Sequence, residues 1–284
     1  MMEWLLEPFK YEFMIRGFLA ATFVGAICSI IGCYIVLRSM AFLGDALAHA
    51  ILPGIAVAYL LKGDITLAAL FTGVLSALGI NFLSKQGSIK EDTAIGILFS
   101  ASLALGIAII SSIRTYAVDL SHILFGNVLG VSNKDLLLTA ILGSLILLLV
   151  LLFYRPFMIV SFDPVLATTL RIPVDKIRSL MLVMMAITIV IAIQSVGVTL
   201  VVAMLVTPSA TSYLITKRLP AMMAVSAIVG FLSSVIGLYA SYYWNIASGA
   251  AIVLAATCFF LVAFLFSPQK GILLQRFTSP AKKK

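Results

Sequence analysis

Charge is scarce in this sequence. Charged residues make up 11% of the 284-residue chain, whereas a soluble domain carries about a quarter. Histidine is down to two residues and cysteine to three. Cys28, Cys33 and Cys258 all lie in apolar stretches and form no CxxC pair. That excludes a disulfide framework and a thiolate zinc site, and the three read as packing residues. No GxxxxGK followed by Ser or Thr is present, and no segment is polar enough for a nucleotide-binding domain. HExxH, a Ser–His–Asp order and a glycosidase-like carboxylate pair are missing too. Catalysis by this chain is not expected, and any ATP hydrolysis would fall to a separate subunit. Residues 1–14 lack the basic start and small-residue cleavage site of a signal peptide. With Trp4, Leu5, Leu6 and Phe9 set among Glu3, Glu7 and Lys10, they read as an amphipathic helix lying at a membrane interface.

Hydrophobic residues, by contrast, make up 62% of the chain, and the mean hydropathy is +1.18. Apolar stretches of about 20 residues, each able to cross about 30 Å of hydrocarbon, follow one another almost without pause. Nine candidate spans are expected: Arg16–Leu37, Leu43–Leu61, Ile65–Ser84, Thr93–Ile113, Leu136–Phe153, Leu180–Gln194, Val198–Thr216, Ala221–Trp244 and Ala250–Phe266. The division between the two spans that meet at Ser195–Gly197 is the softest. Lipid offers no partner to free backbone groups, and no barrel-like alternation is present, so the spans must be helices. The expected fold class is all-α: one polytopic membrane domain over 1–284, with about eight to nine transmembrane helices. Gly25 and Gly32, or Gly73 and Gly79, should let helices approach closely. Met181, Met184 and Met185 read as core filler.

The formal net charge is +8. The basic residues sit in short loops and in the tail 269–284, so they orient helices and meet anionic lipid rather than nucleic acid. Lys217, Arg218, Arg155, Arg171, Lys176, Arg178, Lys85, Lys90 and Arg38 fall in alternate loops on the side of the basic tail. This predicts a cytoplasmic C-terminus and, with nine spans, an outer N-terminus. Two inter-span segments are too long for turns. Arg114–Asp135 falls outside. The segment 155–178 falls inside, and its stretch from Pro164 to Ile172 is expected to form a short helix suited to docking.

Both histidines have an aspartate at helical spacing. Asp45 and His49 are i and i+4 in GDALAHA; Asp119 and His122 are i and i+3 in DLSHILFG. If helical, each pair shares a face. Imidazole with carboxylate suits Mn²⁺, Fe²⁺ or Zn²⁺ better than Cu⁺. Alone, either pair could be a hydrogen-bonded surface group. Together they point to a metal, because ionisable residues inside a membrane default to function. The topology places Asp119 and His122 outside and Asp45 near the inner end of its span. The four make one site only if the Asp45 segment is broken or displaced toward the middle, which Gly44, Pro53 and Gly54 permit. Otherwise they mark two successive gates.

The runs VLRSMAFLGDALAHAILPGIA, EDTAIGILFS, DLSHILFGNVLGV, SFDPVLATTLRIP and QSVGVTLVVAMLVTPSATSYL, in that order over nearly the whole chain, resemble the permease subunits of manganese, zinc and iron ABC importers. The resemblance implies a type II ABC importer permease fold in the cell membrane, and a homodimer with the path at its two-fold interface. It implies cytoplasmic ATP-binding subunits below and an extracellular or periplasmic metal-binding protein above. It places the metal ligands on Asp45, His49, Asp119 and His122, with no permanently bound cofactor: the metal is cargo. It places ATPase coupling on Ser161–Pro173, with Phe162, Asp163, Pro164, Leu166, Ala167, Leu170 and Arg171 as the contact set. The LPG of Leu52–Gly54 leans toward the manganese branch. Arg171 departs from the pattern, since relatives usually carry Gly there; it either adds a contact to the ATPase or caps the short helix. Two other readings use the same residues: an ATP-independent secondary metal transporter or channel, which inverted repeats would favour, and a metal-sensing scaffold without flux.

Overall fold

The helices begin and end where local chemistry dictates. Ser132 and Asp135 form a reciprocal capping box ahead of one apolar run. The Asp64 carboxylate accepts from the Thr66 and Leu67 amides at 2.8 and 3.1 Å ahead of another. Gly197, at φ 87°, separates two helices in a left-handed conformation that a residue with a Cβ avoids. The soft division at 195–197 is therefore a break at one glycine.

The computed structural model describes residues 7–85, 89–112 and 128–267. Its α-helices are α1 (Glu12–Leu37), α2 (Leu43–Ala50), α3 (Leu52–Leu60), α4 (Ile65–Lys85), α5 (Glu91–Ser111), α6 (Asn133–Leu152), α7 (Tyr154–Phe162), α8 (Pro164–Thr169), α9 (Val174–Val196), α10 (Val198–Ile215), α11 (Leu219–Trp244) and α12 (Ser248–Phe266). Among the described residues nine spans are long and apolar enough to cross a membrane, α2 and α3 together making one of them. Two boundaries move furthest. The first span starts at Glu12, after a 3-10 turn over Glu7–Lys10. The sixth starts at Val174, because Pro173 caps it and the helix absorbs Asp175, Lys176 and Arg178. Asp119, His122, the first six residues and the basic tail from 268 lie outside the described residues.

α9, α1 and the α2–α3 span are the most buried, while α5, α6 and α12 are mostly outward-facing. On α6, Leu137, Ile141, Leu145 and Leu148 are exposed along one face. That face suits lipid, whose tails are as apolar as the side chains and supply no hydrophobic drive for helix pairing. Close approach and hydroxyl bonds do the holding instead. α1 packs against α10 and α11. A Cβ on Gly32 would overlap the Leu205 carbonyl oxygen of α10. The Ser29 carbonyl accepts from Ser209 Oγ of α10 and Ser226 Oγ of α11, both at 2.8 Å. Ser234 Oγ of α11 donates to the Ala21 carbonyl at 3.0 Å. Pro208, inside α10, has no N–H to give to the carbonyl four residues back. That carbonyl, on Met204, has Ser29 Oγ 3.5 Å away.

The expected core filler is in place, with Met181, Met184 and Met185 buried. Cys28 and Cys33 are buried as packing residues, but Cys258 is exposed on α12. An apolar stretch in a membrane protein has a lipid-facing side, so apolar context alone does not bury a residue.

Candidate functional site

The span carrying GDALAHA is broken. α2 ends at Ala50, Ile51 links it to α3, and Pro53 sits in the first turn of α3. Asp45 lies in the first turn of α2 and His49 in its last, one above the other as i and i+4 neighbours. His49 Nε2 stands 3.6 Å from Asp45 Oδ1, an ion-pair distance too long for a hydrogen bond. The His49 side chain is 23% exposed and that of Asp45 48%. His49 Nδ1 is buried without a hydrogen bond, although a buried polar atom normally has a partner. The ring of Phe99 on α5 stands edge-on to the imidazole, centroids 5.6 Å apart.

Beside the pair lies a cavity of about 220 Å³, lined by Phe42, Asp45, Ala46, Asp92, Ile95, Gly96 and Phe99. Asp92 opens α5, so Asp45 is level with the start of that helix. Lys85 and Lys90, which flank the loop before α5, and Arg38 and Arg178 lie at the same end of the bundle. The geometry therefore puts Asp45 near the end that the charge pattern marks as inner. Among the described residues no three His, Cys, Asp or Glu side chains come together as a metal-holding group. The structure thus joins Asp45 to His49 and to Asp92, and not to a complete ligand set.

Asp92 and its neighbour Glu91 were not singled out from the sequence. Glu91 binds Arg38 Nη2 at 2.8 Å through both oxygens, and Arg178 Nε at 3.0 Å. Burial pushes the Arg38 guanidinium below its ordinary range, against the pull of Glu91. Two acids directly ahead of an apolar run, with arginines in the neighbouring loops of the same side, were the available signal.

The long segment before α9 holds two helices. Asp163 caps α8, its Oδ1 accepting from the Val165 and Leu166 amides at 3.0 and 2.9 Å, and Pro164 fills the first position, where no N–H is needed. Ala167 is fully buried, whereas Phe162, Val165, Leu166 and Leu170 are exposed. Arg171 has φ 58°. Its amide reaches the Thr168 carbonyl and that of Ile172 the Ala167 carbonyl, each at 3.0 Å, a Schellman ending whose left-handed residue is ordinarily glycine. Arg171 therefore occupies a conformation that ordinarily favours glycine.

A broken, partly polar span inside a bundle that is helical throughout its described residues, with a carboxylate and an imidazole beside a cavity and a short helix left open between spans, defines a multi-pass membrane transport protein. The chain belongs to the ABC 3 transport family, whose model matches residues 10–267. It is 48% identical over 264 residues to the "Manganese transport system membrane protein MntC" of Halalkalibacterium halodurans, covering 93% of this chain and 90% of that protein. It is 39% identical over 273 residues to a "Probable iron transport system membrane protein" of Haemophilus influenzae, covering 96% of each. The solved structure titled "PsaBC from Streptococcus pneumoniae in complex with Fab" matches with a TM-score of 0.84 and 39% identity, over 98% of this chain and 99% of that one.

Proposed function

We propose that this chain is the permease subunit of an ABC importer for a divalent transition metal, with manganese the favoured cargo and iron or zinc the alternatives. The observation that carries the reading is the Asp45–His49 pair on a broken span, with a buried imidazole nitrogen that no group among the described residues satisfies. A carboxylate and an imidazole are two ligands of the kind a divalent ion of this class takes. Asp119 and His122 complete the set when the segment that carries them meets α2. A site assembled from separate segments binds firmly while they are together and releases when they part. The exposed apolar side chains of α8 form the docking surface for a cytoplasmic ATP-binding subunit, and a rigid short helix held by a cap at each end passes its motion on. Two copies of the chain enclose the path, and an extracellular or periplasmic binding protein delivers the ion. The names of the relatives, manganese and iron transport components, support the cargo assignment.

The test is Mn²⁺ uptake by proteoliposomes holding the permease with its ATP-binding subunits and binding protein, with Zn²⁺ and Fe²⁺ as competitors. Uptake should require ATP and be lost in Asp45→Ala. ATP-independent uptake by the purified chain alone would establish a secondary transporter instead.

A further inference from the structure

Three helices meet on one carboxylate at the inner end. Arg38, just past α1, places Nη2 2.8 Å from both Glu91 oxygens. Arg178, early in α9, donates Nε to Oε1 at 3.0 Å and sets Nη2 2.9 Å from Oε2. The Arg38 and Glu91 side chains are only 9% and 14% exposed, and Arg38 Nη1 is buried without a hydrogen bond. Stability alone does not call for this cluster, since apolar side chains of similar volume hold buried helix ends together without the desolvation cost of charge. A neighbouring pair, Lys85 Nζ to Asp175 Oδ2 at 3.0 Å, has both side chains more than half exposed and adds little.

What the cluster does is link three lines of chain that lead to the site. Arg38 precedes α2, the helix of Asp45 and His49, by a short loop. Glu91 adjoins Asp92, which shares the cavity with Asp45, and its helix brings Phe99 against His49. Arg178 follows closely on Pro173, where the segment containing α8 ends. Two guanidiniums share one carboxylate in this joint. If one arginine leaves, the other keeps the carboxylate neutralised, so the anion is never stripped bare.

We propose that Glu91 is a positioning residue of the inner gate: through Arg38 and Arg178 it ties the helices around the Asp45–His49 pair to the helix that α8 leads into, so that displacement of α8 reaches the metal ligands through this carboxylate. The proposal rests on the importer reading above.

The test measures Mn²⁺ uptake and ATP hydrolysis together in proteoliposomes containing the whole complex. The wild type, with and without ATP, reports on the importer reading; uptake without ATP would overturn that reading and this proposal with it. With the wild type ATP-dependent, Glu91→Gln is expected to raise hydrolysis in the absence of Mn²⁺. It should also lower the Mn²⁺ moved per ATP about fivefold or more, the lower end of an ordinary coupling between sites. Glu91→Gln leaves two arginines buried without a counter-charge, which itself lowers folded yield. The triple variant Arg38→Gln, Glu91→Gln, Arg178→Gln removes all three charges. A positioning role predicts that yield returns while coupling stays lost. Wild-type Mn²⁺ per ATP in Glu91→Gln, or in the triple variant, would overturn the proposal.

Discussion

The bundle of α1, α10 and α11 and the group of α2, α5 and α9 are held by different chemistry. The first is locked along its length by small residues and hydroxyls. Gly32 lies against the Leu205 carbonyl, and the Ser29 carbonyl takes two serine hydroxyls from two helices. The second meets the end of α1 on the charges of Arg38, Glu91 and Arg178, and a partly open cavity lies between α2 and α5. Hydroxyl-to-carbonyl bonds at close approach have one good geometry. Charge pairs at a helix end can part and reform. The contrast separates a frame locked along its length from what we propose is the working half, which carries the Asp45–His49 pair and the exposed α8.

Changes in the working half should remove function while leaving the protein intact, and changes in the frame should do the reverse. The largest effect is expected from Asp45→Ala or His49→Ala: Mn²⁺ uptake falls by about 100-fold, at least matching the loss of an outer-shell metal partner, while the amount of inserted protein is unchanged. Leu166→Asp, on the exposed face of α8, should weaken co-purification of the ATP-binding subunit by about 30-fold, the scale of an interface hot spot, and its thermal unfolding should match the wild type. In the frame, Gly32→Val should cost about 3 kcal/mol by overpacking, read as lower thermal stability in detergent. Gly96→Ala, beside the cavity with nothing within 4 Å of the added carbon, should cost nothing. Equal loss in both would erase the distinction. Ser209→Ala and Ser226→Ala should each cost about 0.6 kcal/mol, the average for interhelical hydrogen bonds in a membrane. A gain is expected from Arg171→Gly, which relieves a left-handed residue and should stabilise by about 1 kcal/mol. If uptake also falls, Arg171 contributes a contact beyond its place in the cap.

The spans were legible because lipid makes apolar length and helicity the same requirement. Leu219–Trp244 and Ser248–Phe266 lie within two residues of their expected bounds. The Asp45–His49 pair was legible because a helix fixes the spacing that brings the two side chains together. A short helix from Pro164 was expected, and the structure adds the Asp163 cap that starts it. Glu91 was not legible. Its partners are 53 and 87 residues away, and an acid ahead of an apolar run looks alike whether it is solvated or clasped. Cys258 was misjudged because composition cannot tell the lipid-facing side of a helix from its inner side.

The sequence by itself determined that the chain crosses the membrane many times as helices, roughly where those helices lie, and which pairs of polar side chains share a turn. These depend on hydropathy, caps and the helical repeat, all of which act over a few residues. Only the tertiary structure decided that Asp92 faces the same cavity as Asp45, that Glu91 joins three helix ends, and that the Ser29 carbonyl is the meeting point of α10 and α11. Those facts depend on which helix faces which, and in lipid that choice is made by contacts between residues far apart in the chain.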